Sequence, residues 1–202
     1  MHICPGGCPM HRPLTGIVHE REVEGHICER FSLKAFPTVV HMDTRQLFLL
    51  QKQGEHEGTI AVYEKIPPDR LDWRPAEGML TLGQMARHVW RSEEGTRRIA
   101  LDGDWSYYEK RIPLGLLAVL GEVKSLGDEL QEIRRVHQET LRAAEAYPIE
   151  RWEEIRDNPQ FHTHRTVASL LFRVIEHQVH HRAQVGTYLR LLNGGRASPY
   201  AD

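Results

Sequence analysis

Cysteine is scarce in this chain: Cys4, Cys8 and Cys28 are the three, and all precede residue 30. A disulfide framework is therefore not expected in the regularly patterned part that follows. Long apolar runs are missing as well. The longest, Ile112 to Val123, holds about a dozen residues against the roughly 20 needed to cross a bilayer, so no membrane span is expected. The opening stretch MHICPGGCPMHRPLTG has neither a basic region nor a continuous apolar one, so no secretory signal is readable and the expected location is the cytoplasm. Nor is there an excess of either charge. With 26 basic and 28 acidic residues and a net charge of −2, the chain lacks the positive field that phosphate-backbone binding requires, which argues against nucleic acid as a partner.

What remains is a chain of 202 residues, long enough for one domain and an extension, with the 40% hydrophobic and 27% charged composition of a soluble globular protein. Residues 1–41 carry no sustained periodicity and mix Cys, Pro, Gly and His, so they read as an irregular extension, with the domain proper at 42–202. Within that extension His2, Cys4, Cys8 and His11 are zinc-ligand types. CPGGC is not the usual two-residue knuckle spacing, however, and a terminus without order is the plainer reading.

Four helical segments follow. The first, about 43–66, opens with Asp43 three residues before Gln46 and stops at Pro67-Pro68. Leu47, Leu50, Ala61 and Val62 suggest its buried face, although Gly54 and Gly58 weaken it. The second, about 81–101, begins with the capping-box spacing Thr81 to Gln84 and places Leu82, Met85, Val89 and Ile99 inward. A third, about 125–147, runs from Ser125 to Pro148 with Leu126, Leu130, Ile133, Leu141 and Ala144 as its stripe. The fourth, about 166–192, ends at Asn193-Gly194-Gly195. Helices of such length, about 30–40 Å at 1.5 Å per residue, suit an all-α four-helix bundle, and the stretch 102–124 is long enough to be a crossover connection. The loop holding Trp73 and Pro75 is expected to plug one end.

The chain is rich in histidine, with 13. His177 and His181 are four apart, a spacing that lets two rings reach one ion. Roughly one such pair is expected by chance in a chain this rich in histidine, so direction matters more than spacing. Leu170, Val174, His177, His181, Gln184, Tyr188 and Leu191 recur at steps of three and four, which points both rings inward, while His180 lies on the flank. His88 shares an inner stripe with Met85, Ser92 and Ile99. A lone inward histidine is ordinarily a hydrogen-bonded core residue; three that converge, with ring nitrogens within about 4 Å of one another, suit a divalent metal. His137 reads either as a neighbour of that pocket or as a flank residue, and Glu93 and Glu94, off the His88 stripe, read as surface charges. No H-E-x-x-H, Gly-rich phosphate loop or G-x-S-x-G occurs, which removes support for metalloprotease, nucleotide-binding and serine-hydrolase readings.

Two stretches, LDWRPAEGMLTLGQMARHVW and, about 90 residues later, HQVHHRAQVGTYLRLL, closely resemble the DinB-like superfamily, which includes bacillithiol-transferase-like proteins. The resemblance covers about residues 42–193 and leaves residues 1–41 outside the family pattern. It implies a four-helix bundle with a crossover connection, commonly a homodimer, and a divalent metal, zinc or nickel, on three histidines with water at an open position. Carried onto this chain the ligands are His88, His177 and His181. Three protein ligands and an open position are the arrangement of a catalytic metal, and some relatives transfer a low-molecular-weight thiol to an electrophile. The expected function is a metal-dependent thiol S-transferase, or within that class a hydrolase, with a small-molecule thiol or electrophile as partner. The alternative is a non-catalytic, stress-associated metal-binding dimer, since no general base can be named from the sequence.

Overall fold

The structure is a computed structural model that describes residues 42–194. The proposed extension, with its histidines and cysteines, and the residues after 194 lie outside the described residues. Six helices are present among those described: α1 (Thr44–Tyr63), α2 (Leu82–Asp102), α3 (Ser106–Arg111), α4 (Leu116–Leu120), α5 (Leu126–Ala146) and α6 (Val167–Leu192). The long ones, α1, α2, α5 and α6, form the bundle, with α2 packed on both α5 and α6 and α1 on the same two. The described residues are all-α apart from one small antiparallel hairpin, β1 (Ile155–Asn158) and β2 (Thr163–Thr166), in which Ile155 pairs with Thr166.

Each long helix starts where its capping chemistry requires. Asp43 and Gln46 form a reciprocal capping box, as do Thr81 and Gln84, so that in each case two otherwise orphaned backbone N–H groups are satisfied. Ser125 accepts from the Asp128 N–H and Thr166 from the Ser169 N–H. The loop after α1 returns Trp73 against Tyr188, ring centroids 5.9 Å apart, closing one end of the bundle.

Two apolar clusters fill the interior. One gathers Tyr63, Leu71, Leu82, Leu130 and Tyr188; the other gathers Phe48, Ile99, Ala144, Trp152 and Leu171. Along every long helix a buried polar residue separates them: Lys52 on α1, Glu93 on α2, His137 on α5 and Gln178 on α6, none more than 4% exposed. Lys52 Nζ donates to Glu93 Oε2 at 3.1 Å, to His137 Nδ1 at 3.0 Å and to Gln178 Oε1 at 3.2 Å, so all three ammonium protons are used. Because His137 Nδ1 accepts, its proton is on Nε2, which donates to Gln53 Oε1 at 3.1 Å. His56 stacks flat on His137 with ring centroids 3.6 Å apart.

This layer corrects three expectations. The buried face of α1 is Phe48, Lys52, His56, Thr59 and Val62, whereas Leu47 and Leu50 are 41% and 62% exposed. Glu93 is not a surface charge but the buried counterion of Lys52. His137 is a core residue of this layer. A further correction concerns α6, where Leu191, placed on the inner stripe, is 56% exposed because the helix has run past the end of the core. Gly58, which weakens α1 as a helix, leaves room for Arg182, whose guanidinium would lie 2.6 Å from an added Cβ and which instead pairs with Glu55 at 2.7 Å.

The crossover is held on α2 by its own unsatisfied carbonyls. Short α4 ends with orphaned acceptors: Arg91 donates to Val119 O at 2.7 Å, Arg87 to Leu120 O at 2.7 Å and to Glu122 O at 2.8 Å, and Gln84 to Gly121 O at 3.0 Å. Gly95 of α2 admits α3, since a Cβ there would meet the Tyr107 ring at 2.6 Å.

Two outcomes follow from the polar layer. Glu93→Gln leaves the buried ammonium without its countercharge and should cost about 3–5 kcal/mol in urea denaturation, while adding Lys52→Met should recover part of the loss by removing the stranded charge. A double variant no more stable than Glu93→Gln would contradict that arrangement. The second outcome is pH dependence. Burial, reinforced by the Lys52 charge, lowers both neighbouring imidazoles from 6.5, to about 4 for His56 and to about 2 for His137. Below pH 6.5 the unfolded chain therefore binds protons that the folded chain refuses, so stability is complete above that pH and declines as pH falls through it. Denaturation midpoints between pH 6 and 4 should show His137→Gln losing about 1.4 kcal/mol per pH unit of the slope.

Candidate functional site

On α6, residues 177 and 181 lie one turn apart on the side facing α2, while Gln178, about 100° around the helix, points to Lys52. From α2, His88 meets the α6 pair. Its Nε2 lies 3.1 Å from His177 Nε2, which in turn lies 3.0 Å from His181 Nε2, and the three ligand atoms are all within 4.8 Å of one another. The structure thus brings together the three residues singled out from the sequence. His180 is exposed and stands outside the cluster, its ring edge against His181.

The second ring nitrogens of His181 and His88 are held from behind. His181 Nδ1 lies 2.7 Å from Gln184 Oε1, an oxygen that only accepts, so the ring proton sits on Nδ1 and Nε2 presents a lone pair to the cluster. His88 Nδ1 lies 3.3 Å from Ser92 Oγ. His177 Nε2 carries at most one proton and faces two neighbours, so the group has more lone pairs than protons to share among them. A cation relieves this. Tetrahedral ligands at about 2.0–2.1 Å stand about 3.3 Å apart; the 3.0 and 3.1 Å contacts made by His177 match that spacing, while the set as a whole spans up to 4.8 Å, wider than the roughly 4 Å expected, so the donor set suits a divalent ion of the zinc type once the rings draw in around it. Burial also disfavours the charged imidazolium: it lowers His88 to about 4 and His177 to about 3, in each case with a contribution from His181, and holds His181 itself below the usual range. Neutral rings are the ligating form.

His88 and Ser92 also line a cavity of about 280 Å³ between α2, α3 and α4. Its walls are Tyr107, Tyr108, Leu116 and Val119, with Arg91 and Arg111 as its charged groups, and among the described residues no carboxylate lines it. Arg91 and Arg111 were not singled out from the sequence. Arg87 and Arg91 are four apart on α2 and share a face away from the core, which is a readable pattern. Nothing periodic in 102–124 marks Tyr107 or Arg111, because α3 and α4 have only six and five residues.

A direct check of the ring arrangement is nitrogen-15 NMR of the side chains in chelator-treated protein at neutral pH. His181 should give the Nδ1–H tautomer and His137 the Nε2–H tautomer, and Gln184→Leu should erase the preference at His181 alone. The opposite tautomer at His181 would put a proton in place of the lone pair on the Nε2 that faces the cluster and contradict the arrangement.

Comparison with known proteins places this geometry in a family. A profile of the DinB superfamily matches residues 54–185, a span that holds all three histidines. No curated protein matches the sequence. Among solved structures, a DinB-like protein of Bacillus subtilis superposes with a TM-score of 0.59 at 19% identity, covering 76% of this chain and 96% of that one. A DinB-like protein of Bacillus cereus gives 0.55 at 22% identity, covering 73% and 91%. Both likenesses concern the fold. The profile match spans well over half of the residues, and the chain belongs to the DinB superfamily.

Proposed function

We propose that the protein is a metal-dependent thiol S-transferase whose ion is held by His88, His177 and His181, with zinc or nickel as the metal. The observation that carries the reading is the convergence of three imidazole nitrogens, spaced as ligands, beside a cavity that His88 also lines. When bound, such an ion lowers the pKa of a thiol or water and so makes a nucleophile available near neutral pH.

The surrounding residues favour thiol transfer over hydrolysis. Activating a water calls for a general base, and among the described residues no carboxylate lines the cavity; Glu93, the nearest in sequence on the inner side of α2, is committed to Lys52. A thiol held as thiolate needs none. Gln184 and Ser92 keep the His181 and His88 rings in orientation, and the apolar walls offer the electrophile a surface to lie against. A cytoplasmic setting, where thiols stay reduced, accords with this chemistry. No helix among the described residues is long and apolar enough to cross a membrane.

A second reading, a dimeric metal-binding protein without turnover, draws support from a different feature. Ile112, Leu114, Leu116 and Leu117 of the crossover are 39–64% exposed and form an apolar ridge suited to a second copy of the chain.

Metal binding separates the ligands from ordinary core histidines. His181→Ala should reduce zinc affinity by orders of magnitude and His180→Ala should change it little, as read by competition with a chromogenic chelator. Added zinc or nickel should stabilise wild type and His180→Ala by about 2.7 kcal/mol at one hundred times Kd, and His181→Ala much less. Equal responses from all three proteins would refute the site. Turnover of an aryl halide with a panel of low-molecular-weight thiols then distinguishes the enzyme from the dimer that only binds metal.

A further inference from the structure

We propose that the cavity beside His88 is a binding site for a small organic anion, an apolar body bearing a carboxylate or phosphate group, with the anionic group held between Arg91 and Arg111. The proposal deepens the transferase reading by naming the class of its substrate.

Most other half-buried arginines of the fold meet a carboxylate, and Arg45, which does not, donates instead to Glu145 O and Tyr147 O. Arg87 meets Glu129, Arg97 meets Glu139, Arg156 meets Glu154 and Arg182 meets Glu55. Among the described residues neither Arg91 nor Arg111 has a carboxylate partner. Arg91 gives one proton to Val119 O at 2.7 Å, and Arg111 lies 3.8 Å over the Tyr107 ring. Arg91 Nε and Arg111 Nη1 are both buried and have no hydrogen-bond partner among the described residues. Glu129, whose charge reaches Arg91, is already occupied by Arg87 at 3.0 and 2.5 Å and by Trp90 Nε1 at 2.7 Å.

Two cations have thus been brought to one cavity and partly stripped of water without a counterion. A lysine there could give up its proton, but a guanidinium cannot, so the charge must be met from outside. An anion supplies what is missing, and the planar fork of arginine suits the paired oxygens of a carboxylate or phosphate. Burial already holds Arg91 below the usual guanidinium value, and the Arg111 charge adds to that effect.

The rest of the lining sets the body of the ligand. Ile112, Leu116, Val119 and Leu120 form apolar walls, and Tyr107 and Tyr108 present rings. Burial raises the Tyr107 hydroxyl to about 12, so that it stays a neutral donor and adds no negative charge to repel an anion. A volume of about 280 Å³ admits a single ring with its anionic group rather than an extended chain. His88 shares the lining, which puts the bound molecule beside the three-histidine cluster.

The test is calorimetric titration of the full chain, treated with chelator, with benzoate, phenyl phosphate, benzamide and inorganic phosphate. At least one aromatic anion should bind ten-fold or more tighter than benzamide, which lacks the charge, and than inorganic phosphate, which lacks the body. Which of the two binds identifies the anionic group. Arg91→Gln and Arg111→Gln should each weaken that anion at least ten-fold and leave benzamide unchanged. Arg111→Gln keeps the test open if Arg91→Gln, which loses the bond to Val119 O, does not fold. Equal binding of benzoate, phenyl phosphate and benzamide would overturn the proposal, as would anion binding indifferent to both arginines. Binding seen only in zinc-loaded protein and insensitive to Arg111→Gln would place the anion on the metal and also overturn it. His177→Ala should keep the anion while losing zinc, so the anion site and the metal site can fail separately.

Discussion

The structure turns on one buried ammonium. Lys52 sits wholly out of solvent where the four long helices meet, and each of its three protons goes to a different helix, to Glu93, His137 and Gln178. A bundle joined by apolar surface alone tolerates sliding of one helix along another, because leucine against leucine is favourable in many registers. A buried cation is satisfied in one register only, and any slip strands it along with its partners. The polar layer therefore costs desolvation and in return sets the alignment of α1, α2, α5 and α6 across the middle of the molecule.

That alignment is what assembles the histidine cluster. Gln178 and His177 are adjacent on α6 and point about 100° apart, so when Gln178 reaches Lys52, His177 is turned toward α2. Glu93 and His88, five positions apart on α2, point about 140° apart, one to Lys52 and the other to α6. Each of these helices thus carries two functions on two faces, an inner one that fixes register and a lateral one that offers ring nitrogens. Because the rings stand on long, packed helices rather than on loops, and because Gln184 and Ser92 hold the far nitrogens of His181 and His88, the cluster is organised before any ligand arrives.

The outer face of α2 completes the arrangement. Gln84, Arg87 and Arg91 recur at steps of three and four and hold the carbonyl end of α4, so the crossover becomes a wall instead of a loose loop. With Gly95 admitting Tyr107, a cavity forms against the same helix that supplies His88. Site and pocket are therefore consequences of one helix being packed on three sides.

How much of this was legible follows from range. The starts of the long helices depend on contacts three residues apart, and Asp43 with Gln46 and Thr81 with Gln84 are found where the sequence places them. The inward aim of His88, His177 and His181 is likewise a property of helical period, and so was readable before any fold was known. The α1 face was not. Its periodicity is carried by Lys52, His56 and Thr59, which hydrophobicity assigns to solvent, and only their partners on other helices make burial tolerable. The same holds for Glu93, whose direction is decided by a lysine 41 positions earlier in the chain. The pairing of α3 and α4 with α2, and the two arginines left without a carboxylate, arise from long-range packing of segments too short to carry a period. Local hydrogen-bond geometry and helical repeat are written residue by residue, whereas the fate of a charge depends on what tertiary structure sets beside it.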